Sequence, residues 1–423
     1  MEDKSKYRIA IIGLGYVGLP LATLFSKTYN VLGYDNDSNR VNQLNQFIDK
    51  TNEVATTELK DRLMNNLIIT DQFKKIKDCN IYIITVPTPI DNLKTPDLSY
   101  LLDATKTVGK MLSINDIVIY ESTVYPGCTE EKCVPLLEKI SGLKYNKDFY
   151  CGYSPERVNP GDKKNTIDKI VKVTSGSSEY SSDIIDKLYG SVINAGTHRT
   201  SSIKVAEASK AIENAQRDLN ISFVNELAMI FDKMDIDTTE VLDAASTKWN
   251  FLNFKPGLVG GHCISVDPYY LTYKAKEVGY SPDVILSGRL VNENMAGFVA
   301  GKLLKTMEKN DIQVRGSKIL ILGITYKENC PDTRNTKIPE VYNKLIDQGS
   351  EVSIYDPYAS FEEVKSEYNI NLVSELNNYD GIILAVSHSI FKTLNYNKLK
   401  KESNSVILDV KSFLEQKIVD ARL

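Results

Sequence analysis

Short apolar runs alternate with amphipathic segments through the first part of the chain, as parallel strands alternate with their covering helices. A helix is predicted at residues 19–28, and another at 97–111. A further strand is expected from Phe149 to a point shortly before Glu156. This alternation is typical of a doubly wound α/β fold. The other predicted strands are residues 7–12, 29–34, 80–86 and 116–120.

The middle of the chain has helical periodicity, because residues 202–235 lack glycine and proline and space their apolar side chains by three or four positions. This stretch predicts one long helix or two in tandem, and residues 270–278 and 282–309 also favour helices. A long helix between two α/β parts is a natural dimerisation element, so we expect a homodimer. Apolar runs return at residues 317–323, 351–355, 381–386 and 405–409.

These patterns predict an α/β protein with two Rossmann-like doubly wound domains, joined by a central helical domain with a long connecting helix. The expected boundaries are residues 1–200 for the first α/β domain, 201–310 for the helical domain and 311–423 for the second α/β domain.

Composition restricts the class of protein further. The 423 residues are 42% apolar and 25% charged, as in soluble globular proteins, and the net charge of -4 gives no reason to expect nucleic acid or a membrane surface. No apolar run approaches the ~20 residues of a membrane span, and the N-terminus leaves no room for a signal peptide. Six cysteines without a C-x-x-C pair and three histidines favour reduced thiols, a cytoplasmic location and no metal site.

The first predicted strand leads into three glycines, and the second ends in Asp35. Strand, glycines, helix, strand and acid at an offset of about 20 residues form a dinucleotide-binding pattern, with the phosphates at the helix N-terminus. The Asp35 carboxylate would bind ribose hydroxyls and repel a 2′-phosphate, which favours NAD over NADP, although the nearby Arg40 weakens this distinction. The predicted cofactor-binding residues here are Gly13, Gly15, Tyr16, Val17, Gly18, Asp35 and Arg40.

Ligands of doubly wound sheets bind beyond the carboxyl ends of the strands. Thr85, Pro87, Thr88 and Thr123 follow predicted strands and are expected to face the cofactor, although each by itself would equally suit an ordinary turn. Glu156 also follows a strand. It is either a solvated loop acid or, beside a bound nicotinamide, a group that reaches the reacting carbon or its water.

A cysteine loop separates the two α/β parts. Cys263 directly follows Gly260-Gly261-His262 and precedes Asp267 by four residues. A cysteine in a tight turn is usually a buried thiol, and only its context favours reactivity. Lys210 and Asn214 lie one helical turn apart on one face, although such a lysine often extends to solvent.

The combination of an NAD site, a cysteine and a second phosphate site suggests two successive oxidations of a primary alcohol. A thiolate can capture the aldehyde as a thiohemiacetal, which oxidises to a thioester, and water then releases a carboxylate. Cys263 suits the nucleophile, Lys210 and Asn214 suit the oxyanion, and Asp267 or Glu156 suits the base. The loop after residues 317–323 contains two cations, Lys327 and Arg334. Both are suited to bind the phosphates of a second ligand.

Taken together, the motifs resemble the UDP-glucose/GDP-mannose dehydrogenase superfamily along essentially the whole chain. The resemblance implies NAD-dependent four-electron oxidation of a nucleotide sugar, with Cys263 as the nucleophile and Glu156 and Thr123 near the reacting carbon. It also implies that residues 1–200 bind NAD and residues 311–423 bind the UDP-sugar. Within these domains Lys327 would contact the substrate diphosphate and Arg334 would lie on the NAD side. The motifs are residues 13–18, 86–89, 122–127, 154–157, the pair Lys210 and Asn214, 260–263 with Asp267, and 327–334. The implied substrate-binding residues are Glu156, Arg157, Lys210, Asn214, Lys255, Gly260, Arg289 and Lys327.

The residues after the cysteine narrow the substrate. UDP-glucose dehydrogenases typically continue Cys-Phe-Pro-Lys-Asp, whereas Ser265 and Val266 stand here in place of Pro and Lys. The sequence from Cys263 to Leu271 resembles the branch oxidising UDP-N-acetylhexosamines for capsule, Vi-type or O-antigen polysaccharides, and within it the enzymes for UDP-GlcNAc or UDP-GalNAc. UDP-ManNAc, UDP-glucose or GDP-mannose oxidation, a two-electron dehydrogenase and a non-catalytic nucleotide-sugar-binding protein are the alternatives.

Overall fold

The computed structural model describes residues 6–91, 93–158, 164–261 and 264–423. These form two compact units, one reaching Glu213 and including Tyr269–Tyr280, the other comprising Asn214–Pro268 and Ser281–Leu423. The predicted pair of Rossmann-like sheets with a long central helix is confirmed. The division into three domains at residues 200 and 310 stays a prediction.

The first unit contains an eight-stranded sheet in the order β3-β2-β1-β4-β5-β6-β7-β8, parallel except for the pair β6 and β7. Strands β1, β4 and β5 are almost entirely buried, as expected for a sheet covered by helices on both faces. Its strands are β1 (Arg8–Ile12), β2 (Asn30–Tyr34), β3 (Leu67–Thr70), β4 (Ile81–Ile84), β5 (Ile117–Tyr120), β6 (Tyr150–Tyr153), β7 (Lys172–Gly176) and β8 (Thr197–Arg199). Its helices are α1 (Gly18–Phe25), α2 (Ser38–Asn45), α3 (Thr56–Met64), α4 (Ser99–Gly109), α5 (Val134–Ser141) and α6 (Glu179–Gly190).

The long helix is α7 (Ile203–Met234), which is continuous over 32 residues rather than two helices in tandem. It is followed by α8 (Thr238–Ser246), α9 (Asp267–Glu277) and α10 (Asp283–Lys309). The predicted helices at 202–235 and 282–309 agree with α7 and α10 to within a residue at each end. Among the described residues no helix is both long and apolar enough to cross a membrane.

The second unit contains a five-stranded parallel sheet in the order β10-β9-β11-β12-β13. Apolar side chains of α10 and α11 pack with those of β9, β11 and β12 in one core cluster. The strands are β9 (Lys318–Leu322), β10 (Glu351–Tyr355), β11 (Gly381–Leu384), β12 (Val406–Asp409) and β13 (Ala421–Arg422). The remaining helices are α11 (Ile338–Asp347), α12 (Phe361–Tyr368) and α13 (Tyr396–Leu399).

Candidate functional site

The glycine loop between β1 and α1 is shaped to receive a ligand from outside the chain. A Cβ on Gly18 would overlap the Gly13 carbonyl oxygen, so the chain's own packing requires glycine there. A Cβ on Gly15 would meet no atom within 4 Å, although Gly15 lies in the same loop and is exposed. The open space before Gly15, next to the start of α1, suits the pyrophosphate of a dinucleotide.

Asp35 lies at the end of β2, beside this loop. Its carboxylate accepts hydrogen bonds from the backbone N–H of Leu14, at 2.7 Å, and of Asp37, at 2.9 Å. Arg40 donates from Nε to the Leu14 carbonyl oxygen and forms a 2.8 Å ion pair with Asp49. The guanidinium is therefore engaged within the first unit, which reduces its value as a 2′-phosphate ligand and favours NAD.

The strand-end residues predicted to face the cofactor differ in exposure. Thr85 is buried and donates its hydroxyl to backbone carbonyls of the glycine loop, including Gly13 at 2.8 Å. Thr88 is buried and donates to the Thr123 carbonyl oxygen at 2.7 Å, while Pro87 is exposed and Thr123 half-buried. Thr85 and Thr88 therefore join neighbouring strand ends, and cofactor contact for all four residues stays a prediction.

Glu156 and Arg157 follow β6 in the first unit. The Glu156 side chain is 12% exposed, and its Oε1 accepts the backbone N–H of Val158. The Arg157 guanidinium donates to the Val171 carbonyl oxygen and pairs with Glu213 at 2.8 Å. The adjoining residues 159–163 of the same motif lie outside the described residues.

Helix α7 contributes two buried charged residues to the first unit, Glu207 and the predicted Lys210. The Glu207 carboxylate accepts the backbone N–H groups of Gly127 and Thr129, which holds the loop after β5. Burial raises the pKa of Glu207 to about 7 despite these hydrogen bonds. Sequence reasoning did not identify Glu207, because its partners lie about 80 residues earlier.

In the second unit, Asn214 and Asp267 are brought together. The Asn214 Nδ2 donates to Asp267 Oδ2 at 2.6 Å, and both side chains are buried. The sequence predicted a role for each of the two residues but not this hydrogen bond between them, and the roles stay a prediction. The predicted nucleophile Cys263 and its neighbour His262 lie outside the described residues.

The backbone before the cysteine is anchored by a buried amide that sequence reasoning did not assign. Asn225 accepts the Gly257 N–H at 2.8 Å and donates to the Gly257 carbonyl oxygen at 3.0 Å. Four residues later, Gly261 has φ +87°, and a Cβ there would lie 2.8 Å from the Tyr326 ring. The loop therefore has a defined path up to Gly261.

Arg289, a predicted substrate ligand, belongs to a buried network between α7 and α10. Its guanidinium donates to Asp218 and Glu293, each at 2.7 Å. Asn292 donates to Asp218 and accepts from Asn225, which extends the network to the cysteine loop. These bonds indicate a structural task for Arg289, and its substrate contact stays a prediction.

A small cleft in the second unit lies beside Lys255, the exposed predicted substrate ligand. Its wall includes Lys411, directly beyond the carboxyl end of β12, where parallel sheets bind ligands. Packing around its ammonium lowers the pKa of Lys411, with Glu328 and Asp409 acting in the opposite direction. Sequence reasoning did not select Lys411. The lining residues are Thr239, Leu242, Asp243, Asn253, Lys255, Pro256, Val410, Lys411 and Ser412.

The loop after β9 contains Lys327, which is half-buried, and Arg334, whose Nε donates to Asp332 at 2.9 Å. His388 anchors this loop. Its Nδ1 accepts the Asn329 N–H at 2.8 Å, which leaves the ring proton on Nε2, 3.1 Å from Asp356. The loop carrying both predicted phosphate ligands is thus attached to the segment after β11.

Asp356 occupies in the second sheet the place that Asp35 occupies in the first. It is buried and accepts backbone N–H groups of Ile324, Thr325, Tyr358 and Ala359. Burial acts to raise the pKa of Asp356, but the bonds from His388 and the backbone hold it below its ordinary value. A carboxylate so fully occupied is not placed to bind a ribose, which distinguishes this unit from a dinucleotide site.

Comparison with known proteins identifies an NAD binding domain around the first sheet and a UDP binding domain around the second. Three models of the UDP-glucose/GDP-mannose dehydrogenase family match in order: the NAD binding domain at residues 7–193, the central domain at 204–294 and the UDP binding domain at 320–416. The predicted NAD cofactor and the predicted family are confirmed by these matches.

Relatives match over nearly the full chain. The UDP-N-acetyl-D-glucosamine 6-dehydrogenase of Pseudomonas aeruginosa is 52% identical over 420 residues, 98% of this chain and 99% of that protein. Protein CapL of Staphylococcus aureus is 50% identical over 410 residues, 96% of each chain. The structure of UDP-D-ManNAc dehydrogenase from Pyrococcus horikoshii has a TM-score of 0.86 at 33% identity, covering 97% of this chain and 96% of that one.

The glycine loop with Asp35, the strand-end cleft beside Lys255 and Lys411, and the three consecutive family matches agree with one another. The chain belongs to the UDP-glucose/GDP-mannose dehydrogenase family and is an NAD-dependent nucleotide-sugar dehydrogenase.

Proposed function

We propose that the protein oxidises the C6 hydroxymethyl group of UDP-N-acetylglucosamine to a carboxylate, using two NAD per sugar. The observation that supports this substrate most directly is the 52% identity to the P. aeruginosa enzyme of that specificity across 98% of the chain. Ser265 and Val266, in place of the Pro-Lys of UDP-glucose dehydrogenases, favour the same substrate class.

The residues that would hold NAD belong to the first unit. The open face of Gly15 would accept the pyrophosphate and Asp35 a ribose, while Thr85 keeps the glycine loop in place. Thr88, Pro87 and Thr123 follow the strand ends where the nicotinamide is expected. Bound NAD supplies a hydride acceptor for each of the two oxidations.

The substrate would be held by the second unit. Lys255 and Lys411 place two cations beside the cleft at the end of β12, which suits the nucleotide diphosphate. Lys327, on the loop anchored by His388, adds a third cation. Arg157 and Lys210 are proposed to contact the sugar from residues of the first unit, and Gly260 to contact it through its backbone.

Cys263 is the proposed nucleophile. Its thiolate would add to the aldehyde carbon, and Lys210 with Asn214 would stabilise the oxyanion that forms. The hydrogen bond from Asn214 to Asp267 orients both groups for holding this oxygen or a water. Glu156 is the proposed base for the last step, in which water attacks the thioester carbon and the C–S bond breaks with its electrons on sulfur.

Incubation of the full-length protein with NAD and separate UDP-sugars tests the proposal. UDP-GlcNAc should give two NADH per sugar and a uronic acid, and Cys263→Ser should abolish uronate release. Faster turnover of UDP-GalNAc, UDP-ManNAc, UDP-glucose or GDP-mannose would reassign the substrate. One NADH per sugar with free aldehyde would contradict the four-electron scheme, and no NADH with any sugar would favour a binding protein.

We also propose that the protein acts as a homodimer through α7. Five apolar side chains that are 45% to 58% exposed fall within about 40° of one another on this helix at 100° per residue. Burial of such a stripe against a second copy would remove it from water. The residues are Val205, Ile212, Phe223, Ile230 and Met234.

The product would be a nucleotide-linked uronic acid. We propose that it is formed in the cytoplasm as a precursor of a surface polysaccharide such as a capsule or O-antigen. The 50% identity to Protein CapL supports this assignment. A deletion strain that keeps its uronic-acid-containing surface polymer would contradict it.

A further inference from the structure

A buried lysine lies beneath the Glu156 segment in the first unit. Lys172, the first residue of β7, donates from Nζ to Glu121 Oε2 at 2.6 Å and to the Pro155 carbonyl oxygen at 3.0 Å. The same Nζ lies 4.0 Å from Glu156 Oε2. Only 4% of the Lys172 side chain and none of the Glu121 side chain is exposed.

Sheet topology produces this arrangement. Strand β7 runs antiparallel to β6, with Tyr153 opposite Ser175, and Ser154 donates to the Val173 carbonyl oxygen at 2.7 Å. The start of β7 therefore lies beside the segment that follows the end of β6, where Glu156 is located. Glu121 follows β5, the other neighbour of β6.

The charges do not balance. Two carboxylates, Glu121 and Glu156, approach a single ammonium, with the Tyr189 ring of α6 packed 5.4 Å from Nζ and its hydroxyl donating to Glu121. The next residue along the chain, Arg157, is already paired with Glu213 of α7. Burial and the Glu156 charge raise the pKa of Glu121, while Lys172 acts to lower it.

The two oxygens of Glu156 have different surroundings. Oε1 accepts the Val158 N–H, whereas the buried Oε2 accepts no hydrogen bond from the part of the chain that the structure describes. Oε2 is the oxygen nearer Lys172. An ionised carboxylate oxygen with a cation at 4.0 Å and no donor remains able to accept a proton from water.

We propose that Lys172 is a positioning residue that holds the Glu156 carboxylate in place for hydrolysis of the Cys263 thioester. The inference rests on the proposed role of Glu156. In this step a water oxygen bonds to the thioester carbon, one water proton passes to Glu156 Oε2, and the C–S bond breaks to give the carboxylic acid and the Cys263 thiolate. The acid then releases the second water proton to solvent and becomes the carboxylate. Lys172 itself exchanges no proton.

Lys172→Met keeps the apolar stem and removes the ammonium beside Glu156 Oε2, so hydrolysis of the thioester should slow. Uronate formation should fall about tenfold, while the KM for the sugar stays nearly unchanged. Intact-protein mass spectrometry during turnover should show most of the enzyme bearing covalent substrate. Lys172→Arg should restore both towards wild type.

Removing Lys172 alone leaves Glu121 buried without its cation, which can prevent folding. The double variant Lys172→Met with Glu121→Gln leaves neither charge and should fold, with the same slow uronate formation and accumulated covalent enzyme. Lys106→Met, which removes an exposed lysine paired with Asp103 in the same unit, is the matched control and should behave as wild type.

The two proposals can fail separately. Unchanged uronate formation and pH profile in Glu156→Gln would disprove the role of Glu156 itself. An inactive Glu156→Gln together with wild-type uronate formation and no accumulated covalent enzyme in the folded Lys172 variants would disprove the role of Lys172. A loss of thermal stability without either change would also assign Lys172 a purely structural role.

Discussion

At the residue scale, Gly15 and Gly18 lie three positions apart, yet a side chain would act differently at each. The Gly18 Cβ would meet the chain's own backbone, whereas the Gly15 Cβ would enter open space. A glycine that the fold does not require is readily explained by a ligand that approaches it. This contrast separates the parts of the glycine loop that serve folding from those that serve NAD.

Gly15→Ala should therefore leave the free energy of unfolding nearly unchanged and weaken NAD binding tenfold or more, because the new methyl group occupies the pyrophosphate's space. Gly18→Ala should lower the free energy of unfolding by about 2 kcal/mol through its backbone clash. Urea denaturation and calorimetric titration with NAD measure the two effects. Equal NAD affinity in Gly15→Ala and wild type would contradict this interpretation of the loop.

Glu207 is a second residue whose surroundings predict a measurable effect. Burial raises its pKa to about 7 from an ordinary value near 4.5, so the folded protein retains its proton to higher pH than the unfolded chain does. This contribution to stability is present below pH 4.5 and is lost as pH rises to 7. Between pH 5 and pH 8 the loss is about 2 kcal/mol.

Glu207→Gln should be less stable overall, because one of the N–H groups of Gly127 and Thr129 loses its acceptor, but its stability should depend less on pH. Urea midpoints at pH 5 and pH 8 for wild type and variant give the comparison. The same pH dependence in both proteins would show that Glu207 does not titrate in this range.

At the element scale, the long helices and most of the buried strands were predicted from sequence, whereas short helices such as α2 and α6 and the edge strand β8 were not. Residues 202–235 contain no breaker and matched α7, whereas β8 (Thr197–Arg199) has no apolar pattern to recognise and was not predicted. Predicted site residues such as Asn214 and Asp267 form a hydrogen bond. They could be selected from sequence because the residue types within a motif already indicate its chemistry. Lys172 with Glu121, separated by 51 residues, could not be paired without the sheet order.

The stripe on α7 leads to a prediction about assembly. Phe223 lies near the middle of the stripe and is 56% exposed, so Phe223→Glu should fold normally but place a charge in the proposed dimer interface. Light scattering at micromolar concentration should then give the monomer mass. Ile114→Glu, at an apolar side chain 66% exposed in a loop, is the control and should remain dimeric. A monomeric wild type would contradict the interface.

The cysteine loop depends on α7 through Asn225. Asn225→Ala would leave the buried Gly257 N–H and carbonyl oxygen without this partner, so stability should fall by about 2 kcal/mol and uronate formation should slow. Gln216→Ala, on the same helix but with an exposed side chain, is the matched control. Equal stability and activity of the two variants would mean that the loop does not need this anchor.

At the scale of the whole molecule, the two sheets have a related plan but different ligand chemistry. Each ends its second strand in an aspartate that accepts a backbone N–H of the neighbouring loop, Asp35 in one and Asp356 in the other. Asp356 is filled by four backbone donors and His388, and the proposed ligands of its sheet are instead lysines such as Lys411, beyond the end of β12. A related topology therefore serves a dinucleotide in one unit and a nucleotide diphosphate in the other.

This division predicts separate footprints for the two ligands in hydrogen exchange. NAD alone should slow exchange most at residues 13–18, where the pyrophosphate would accept hydrogen bonds from loop amides. UDP alone should slow it most at residues 253–257 and 410–414, which flank the cleft. At a hundredfold excess over its Kd each ligand should stabilise the folded state by about 2.7 kcal/mol. Lys411→Ala should weaken UDP binding and leave the NAD footprint intact, whereas protection of residues 13–18 by UDP alone would place both ligands on the first sheet.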